Sequence, residues 1–310
     1  MIEINNLVKH YGDTKAVNGI SFNVNKGEVL GFLGPNGAGK STTMNIIAGY
    51  LSFTSGSVKV NGHDVLEEPE LTKKSIGYLP ELPPLYLDMT VIEYLTFICD
   101  LKKVPKADRK EQLARILAMV KISNVSDRLI ANLSKGYKQR VGIAQALVGD
   151  PEILILDEPT VGLDPNQIIE IRKLIKSLAK NHTIIISSHI LTEVQSVCDR
   201  VVIINKGKVA AVSNLKDLSA NVFKNYKILI TFKGNLKAVS DGLMNIPGVT
   251  NVEVKNSDGD ISELEISVDS ENDIRSQVFY EMVRLNCPIL ELKSLGSSLE
   301  DVFISITKNS

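Results

Sequence analysis

The chain is poor in the residues that build disulfide frameworks and zinc sites: its three cysteines, Cys99, Cys198 and Cys287, lie far apart. There is no C-x-x-C pair and no histidine at ligand spacing, so neither kind of site is indicated, and the thiols are expected to be buried in a reducing compartment. Neither sign of charge dominates. Lys+Arg number 35 against 36 Asp+Glu, a net charge of -1. That balance excludes a globally basic nucleic-acid binder or a polybasic membrane-surface protein, and leaves any contact with a polyanion to be local. No apolar run approaches the roughly 18 residues that span a bilayer. The start, "MIEINNLVKH", has no charged segment leading into an apolar one, as a secretory signal would. The expectation is a soluble, cytoplasmic protein.

With 310 residues the chain can form one large or two medium domains, each with its own core. "GEVLGFLG", "EILILDEP" and "HTIIISSH" are apolar runs of strand length, and "QIIEIRKLIKSLAK" is an amphipathic helix. Such alternation predicts an α/β fold with a mainly parallel sheet covered on both faces. From Pro83 the pattern turns helical, in "TVIEYLTFICDL" and "RKEQLARILAMV", and predicts a helical insertion. After about Ser219 the order becomes βαββαβ, with a turn at Asp258-Gly259 and a last helix in "SSLEDVFISIT". That order fits a split βαβ, ferredoxin-like α+β domain.

"GPNGAGKST", Gly34 to Thr42, follows a strand and precedes a helix, the context that G-x-x-x-x-G-K-[ST] requires. Gly34, Gly37 and Gly39 let the backbone curl so that successive N–H groups point at phosphate oxygens, at the positive end of a helix. Lys40 would neutralise the β- and γ-phosphates, Ser41 would ligate Mg²⁺, and Thr42 would donate to the α-phosphate. Pro35, Asn36 and Ala38 complete the loop.

"ILILDEPT" puts Asp157 and Glu158 at the end of an apolar strand, the edge where an α/β sheet binds ligands. Asp157 suits the Mg²⁺ shell, and Glu158 stands where it could polarise an attacking water. "IIISSHIL" leaves His189 at the end of another strand, where it could hydrogen-bond a γ-phosphate. In "LSKGYKQR", Ser134 and the Gly136 N–H open the apolar helix "VGIAQALVG" and make a helix-terminal anion site.

The order and spacing of these motifs resemble the ATP-binding subunits of ABC transporters over roughly Met1 to Ser219. "GPNGAGKST" is similar to the Walker A motif, "ILILDEP" to Walker B, and "GLDP", with Asp164, to the D-loop. His189 is similar to the switch histidine, and "LSKGYKQR" takes the place of the signature. The resemblance implies a P-loop NTPase cassette over 1–219, a mixed sheet core with a helical subdomain at about 83–150, followed by the accessory domain at 220–310. It further implies ATP and Mg²⁺ as cofactors, and two cassettes, alike or related, sandwiching two ATP molecules. A separate transmembrane permease and a place on the inner face of the membrane follow, with no nucleic-acid partner.

On that resemblance Ser134, Lys135, Gly136 and Tyr137 serve the nucleotide bound by the partner cassette. Lys135 and Tyr137 stand where many relatives have glycine and glutamine, and Lys135 points toward phosphate or to solvent. Tyr11 corresponds to the aromatic that stacks on adenine; a surface tyrosine in a hairpin is the other reading. Glu81, in "GYLPE", fills a position often held by glutamine and could still ligate Mg²⁺. Leu85, Tyr86 and Leu87 suit either permease docking or core packing. The segment "LEDVF", Leu299 to Phe303, resembles the end of an exporter-type extension. A non-transport ATPase acting on ribosomes or DNA would carry two cassettes in one chain or long coiled coils, and neither is present. A P-loop kinase or GTPase fits less well, since the chain has no N-K-x-D motif to read guanine.

Overall fold

The strands of the central sheet are apolar runs because both of their faces are covered. In the computed structural model, which describes residues 1–214, 226–270 and 273–295, Val29–Leu33 (β3), Ile76–Leu79 (β6), Ile153–Asp157 (β7) and Thr183–Ser188 (β8) are buried at every position. Successive side chains of one strand enter different cores. Leu154, Leu156, Ile184 and Ile186 join one apolar cluster, whereas Ile153, Ile155 and Ile185 join another with Leu30 and Phe32. Full burial of each such side chain contributes about 1.5–3 kcal/mol.

This sheet has the order β10-β9-β3-β8-β7-β6, with Arg200–Asn205 as β9 and Lys208–Asn214 as β10. It is parallel from β6 through β9. Beside it stands a second sheet that the strand-helix alternation does not announce. Ile2–Tyr11 (β1), Thr14–Val24 (β2), Ser55–Val60 (β4) and His63–Asp64 (β5) form an antiparallel sheet of order β2-β1-β4-β5. Its inward residues Ile2, Ile4, Leu7, Val58 and Val60 share the core of Leu30 and Phe32, with Met44, Ile46 and Ile47 of the helix Lys40–Ile47 (α1). The short helix Pro69–Ser75 (α2) leads into β6.

The opposite core belongs to the helical insertion. Val91–Leu101 (α3) starts at a capping box: Glu93 N donates to Thr90 Oγ1 at 3.3 Å, and Thr90 N donates to Glu93 Oε2 at 2.8 Å. Lys106–Met119 (α4) and Lys135–Leu147 (α5) follow. Val91, Leu95, Leu113, Ile116, Val141 and Ile143 then pack with Leu154 and Leu156. Pro165–Leu178 (α6) buries Ile171, Leu174, Ile175 and Leu178, a stripe at helical spacing, and Leu191–Val197 (α7) follows β8.

Contacts divide the chain into two compact units, Met1–Ser213 and Asn214–Asn309. The expected boundary at Ser219 and the expected last helix in "SSLEDVFISIT" lie outside the described residues. Within the second unit, Tyr226–Lys233 (β11), Val249–Asp258 (β12), Ile261–Val268 (β13) and Ile289–Leu295 (β14) form a sheet of order β12-β13-β11-β14, antiparallel at every pairing. The helices Leu236–Met244 and Arg275–Arg284 are interleaved in the βαββαβ order, the ferredoxin-like arrangement. Tyr226, Ile228, Ile230 and Phe232 alternate into its core with Val239, Leu243, Val278 and Met282. The other face carries cross-strand ion pairs from Glu265 to Lys227 at 2.6 Å and to Lys255 at 3.5 Å.

Candidate functional site

Strand order decides which residues meet. β3, β8 and β7 are parallel neighbours, with Leu33 opposite Ser188 and Ser187 opposite Asp157. Their carboxyl ends therefore bring together the loop after β3, His189 after β8, and Glu158 after β7.

The loop Gly34–Thr42 wraps the start of α1. Gly39 is the N-cap, at φ +104°, and offers no side-chain cap. A Cβ there would lie 2.5 Å from the Ala16 carbonyl oxygen, and one at Gly34 would lie 2.4 Å from that of Ile204, so only glycine fits either place. The first N–H groups of α1, which have no carbonyl behind them, are left to an outside acceptor. Lys40 is buried, and its Nζ donates to the carbonyl oxygens of Gly34 at 2.8 Å and Pro35 at 3.4 Å. It also lies 3.4 Å from Glu158 Oε1.

Glu158 holds a left-handed backbone, φ +47°, uncommon for a residue with a side chain. Its N–H donates to Ser187 Oγ at 2.9 Å, and its carbonyl accepts from Val161 N at 3.1 Å. Ser187 in turn donates a short hydrogen bond to Asp157 Oδ1. One hydroxyl thus orients both carboxylate residues. His189 Nδ1 lies 3.1 and 3.0 Å from the two Glu158 carboxylate oxygens. A carboxylate oxygen accepts, so the contact takes Nδ1–H as its donor.

Tyr11 ends β1 half-exposed, with Lys9 Nζ 5.2 Å from its ring centroid. Glu81 sits in an exposed turn beyond β6. It acts on the neighbouring Tyr78 phenol, which is pushed well up, first by burial and then by Asp157, Tyr50 and Glu81. The Tyr78 hydroxyl donates to Asn45 Oδ1 on α1 at 3.2 Å. Among the described residues no cluster of three or more His, Cys, Asp or Glu side chains stands ready to hold a metal by itself.

The segment 133–140 caps and opens α5 and touches the turn before α6 in its own chain. Ser134 caps α5, its Oγ accepting from Tyr137 N at 3.4 Å, and Asp164 caps α6, its Oδ1 accepting from Gln167 N at 2.9 Å. A Cβ on Gly136 would lie 2.6 Å from Gln167 Cδ, and one on Gly162 would lie 1.9 Å from Lys135 Nζ. The Lys135 ammonium therefore lies over Gly162, and the residue stays exposed.

Leu85 packs on the insertion core, whereas Tyr86 and Leu87 are half-exposed. Tyr86 meets Phe97 edge-on, ring centroids 5.5 Å apart, in the wall of an open groove of about 1230 Å³. Tyr50, Tyr78, Tyr94 and Lys102 also line it. Sequence reasoning missed Ser187, Ser188, Thr160 and Glu193. For Ser187 and Ser188 the signal is a pair of polar side chains where a buried apolar strand ends; Thr160 and Glu193 have no such signal.

A parallel sheet with a glycine-lined loop capping α1, a buried lysine and an acidic pair at its carboxyl edge defines a P-loop nucleoside triphosphatase. The family model for "ABC transporter" matches residues 17–161. The chain is 34% identical over 309 residues to the ABC transporter ATP-binding protein YxlF of Bacillus subtilis, covering 99% of each chain. It is 32% identical to the linearmycin resistance ATP-binding protein LnrL of the same organism, over 99% of this chain and 98% of that one. The dimeric post-hydrolysis structure of the cassette MJ0796, bound to ADP and Pi, matches with a TM-score of 0.63 at 26% identity, over 69% of this chain and 99% of that one. The chain belongs to the ABC transporter ATP-binding proteins: it is an ATPase subunit with the cassette fold. No helix among the described residues is long and apolar enough to cross a membrane.

Proposed function

We propose that the chain binds MgATP at the carboxyl edge of β3, β8 and β7, hydrolyses it between two cassettes, and drives export through a separate permease. The observation that carries this reading is the convergence of Lys40, Glu158 and His189 within 3.4 Å contacts at one sheet edge. The α1 amides and Lys40 take the β- and γ-phosphates, Thr42 the α-phosphate, and Tyr11 the adenine. Oxygens of Ser41, Asp157 and Glu81 suit Mg²⁺, a hard cation that is held jointly with phosphate rather than by a protein cage. When bound, the cation neutralises charge that develops on the phosphate oxygens.

Glu158 accepts a proton from the attacking water as its oxygen bonds to the γ-phosphorus and the bond to ADP breaks. His189 holds that carboxylate through Nδ1–H, and when the ring also carries a hydrogen on Nε2 that N–H donates to the γ-phosphate. Ser134 and the α5 N-terminus, with Lys135, Gly136 and Tyr137, serve the nucleotide of the second cassette, a copy of this chain or a related one. Asp164 shapes the turn between. The tyrosine-lined groove is the place for a permease helix, on the inner face of the membrane. Export rather than import is supported by the likeness to LnrL, a linearmycin resistance ATP-binding protein.

Glu158→Gln keeps shape and burial but cannot take the proton. In the purified variant turnover is expected to fall at least about a hundredfold, with ATP binding retained and a nucleotide-bound dimer accumulating on a sizing column. Near-normal ATPase activity would sink the role of Glu158.

A further inference from the structure

Behind the Glu158–His189 contact lies a buried carboxylate that none of the steps above uses. Glu193, in the first turn of α7, is 8% exposed. Its Oε2 accepts from Thr160 Oγ1 at 2.6 Å and from Ser188 Oγ at 3.1 Å, and both hydroxyl-bearing residues are buried. Ser188 Oγ also accepts the Ile190 N–H at 3.0 Å, which closes the turn around His189. Thr160 stands in the turn that follows Glu158, closed by the Val161 N–H on the Glu158 carbonyl. The second carboxylate oxygen, Oε1, lies 3.8 Å from Arg172 on α6. Arg172 Nε is buried with no hydrogen-bond partner among the described residues.

A buried carboxylate held this way is a poor device for stability, because well-packed apolar residues of similar volume do as well or better. What it fixes is geometry: one oxygen ties the turn carrying Glu158 to the turn carrying His189, and two catalytic side chains on different loops meet at hydrogen-bond distance. We propose that Glu193, with Thr160 and Ser188, is a positioning residue that sets the Glu158–His189 contact. The proposal rests on the reading of Glu158 and His189 given above. Glu193 touches neither nucleotide nor water in this role. The clamp's side chains do not reach the phosphate-binding loop, which meets Ser188 through its backbone, Gly34 N–H on the Ser188 carbonyl at 3.4 Å, so the clamp is expected to act on turnover more than on nucleotide affinity. With its oxygen toward the hydroxyls a glutamine at 193 turns its amide hydrogens toward Arg172, so it holds the clamp less well than the carboxylate does.

The full chain is tested with Thr160→Val, which keeps volume and loses the donor, Thr160→Ser, which keeps the donor, and Glu193→Gln. MgATP affinity is measured by equilibrium binding and kcat at saturating ATP. Thr160→Val and Glu193→Gln are expected to lower kcat about tenfold or more with affinity within about twofold, and Thr160→Ser to remain near wild type. In a His189→Ala background, Thr160→Val adds less than about a twofold further loss, because the contact it sets is already gone. Wild-type kcat in both Thr160→Val and Glu193→Gln overturns the proposal, as does an equal loss in Thr160→Ser. If instead Glu158→Gln itself turns over normally, the functional reading fails, whatever these variants do.

Discussion

Lys40 has three partners in its own chain: the carbonyls of Gly34 and Pro35, and Glu158 at 3.4 Å. These contacts hold an ammonium in a buried place, aimed at the space that the α1 amides surround, so its deletion is expected to act on binding before chemistry. For Lys40→Met we expect ATP affinity to fall about tenfold to a hundredfold, the loss of a charge-assisted hydrogen bond, in an equilibrium binding assay. Unchanged affinity would argue against this loop as the phosphate site. The loop and the acidic pair are legible in the sequence because each is contiguous and its context, strand then helix, is written beside it. The partners that orient them are not. Ser187 meets Asp157 only because β8 pairs with β7, and Glu193 meets Thr160 only because α7 folds back on the turn after β7. Lys135, left between phosphate and solvent by sequence reasoning, lies over Gly162 because α5 and α6 start side by side.

Among the elements, α3 is tied to α5 by one side chain. Lys102, the C-cap of α3, donates from Nζ to the Val148 carbonyl at 2.7 Å and to that of Ala146 at 3.4 Å, where α5 ends. Burial in the groove wall pulls its pKa down from 10.5 to about 8, with Cys99 opposing. Between about 8 and 10.5 the unfolded chain therefore holds more protons at this position than the folded one, and stability gains from Lys102 as pH rises through that window. The difference in urea unfolding free energy between wild type and Lys102→Met is expected to rise with pH across it. A difference independent of pH would contradict this placement of the ammonium. Strongly patterned elements are readable: the fully buried, mostly apolar β3, β7 and β8, the stripe on α6, and the alternation in β11. The antiparallel sheet around β1 was not. Its two strand pairs are far apart in sequence, β1 meeting β4, and their polar outer faces weaken the pattern.

For the molecule as a whole, the motifs of one chain fall into two groups that face different ways in the chemistry. Lys40, Asp157, Glu158 and His189 converge on one sheet edge, whereas Ser134 and Gly136 open α5 on the helical insertion. On the proposed function a complete site takes the first group from one chain and the second from another. The second unit, with its own core and a charged sheet face, brings no comparable cluster to that chemistry among its described residues. Complementation tests the claim most directly. Lys40→Ala and Ser134→Arg chains, each purified, are assayed for ATP hydrolysis alone and after mixing in equal amounts. Each is expected to be inactive alone. The mixture should recover about a quarter of wild-type activity, since about half of the dimers are mixed and each mixed dimer holds one intact site. A mixture as inactive as its two components, with mixed dimers present, would contradict the account.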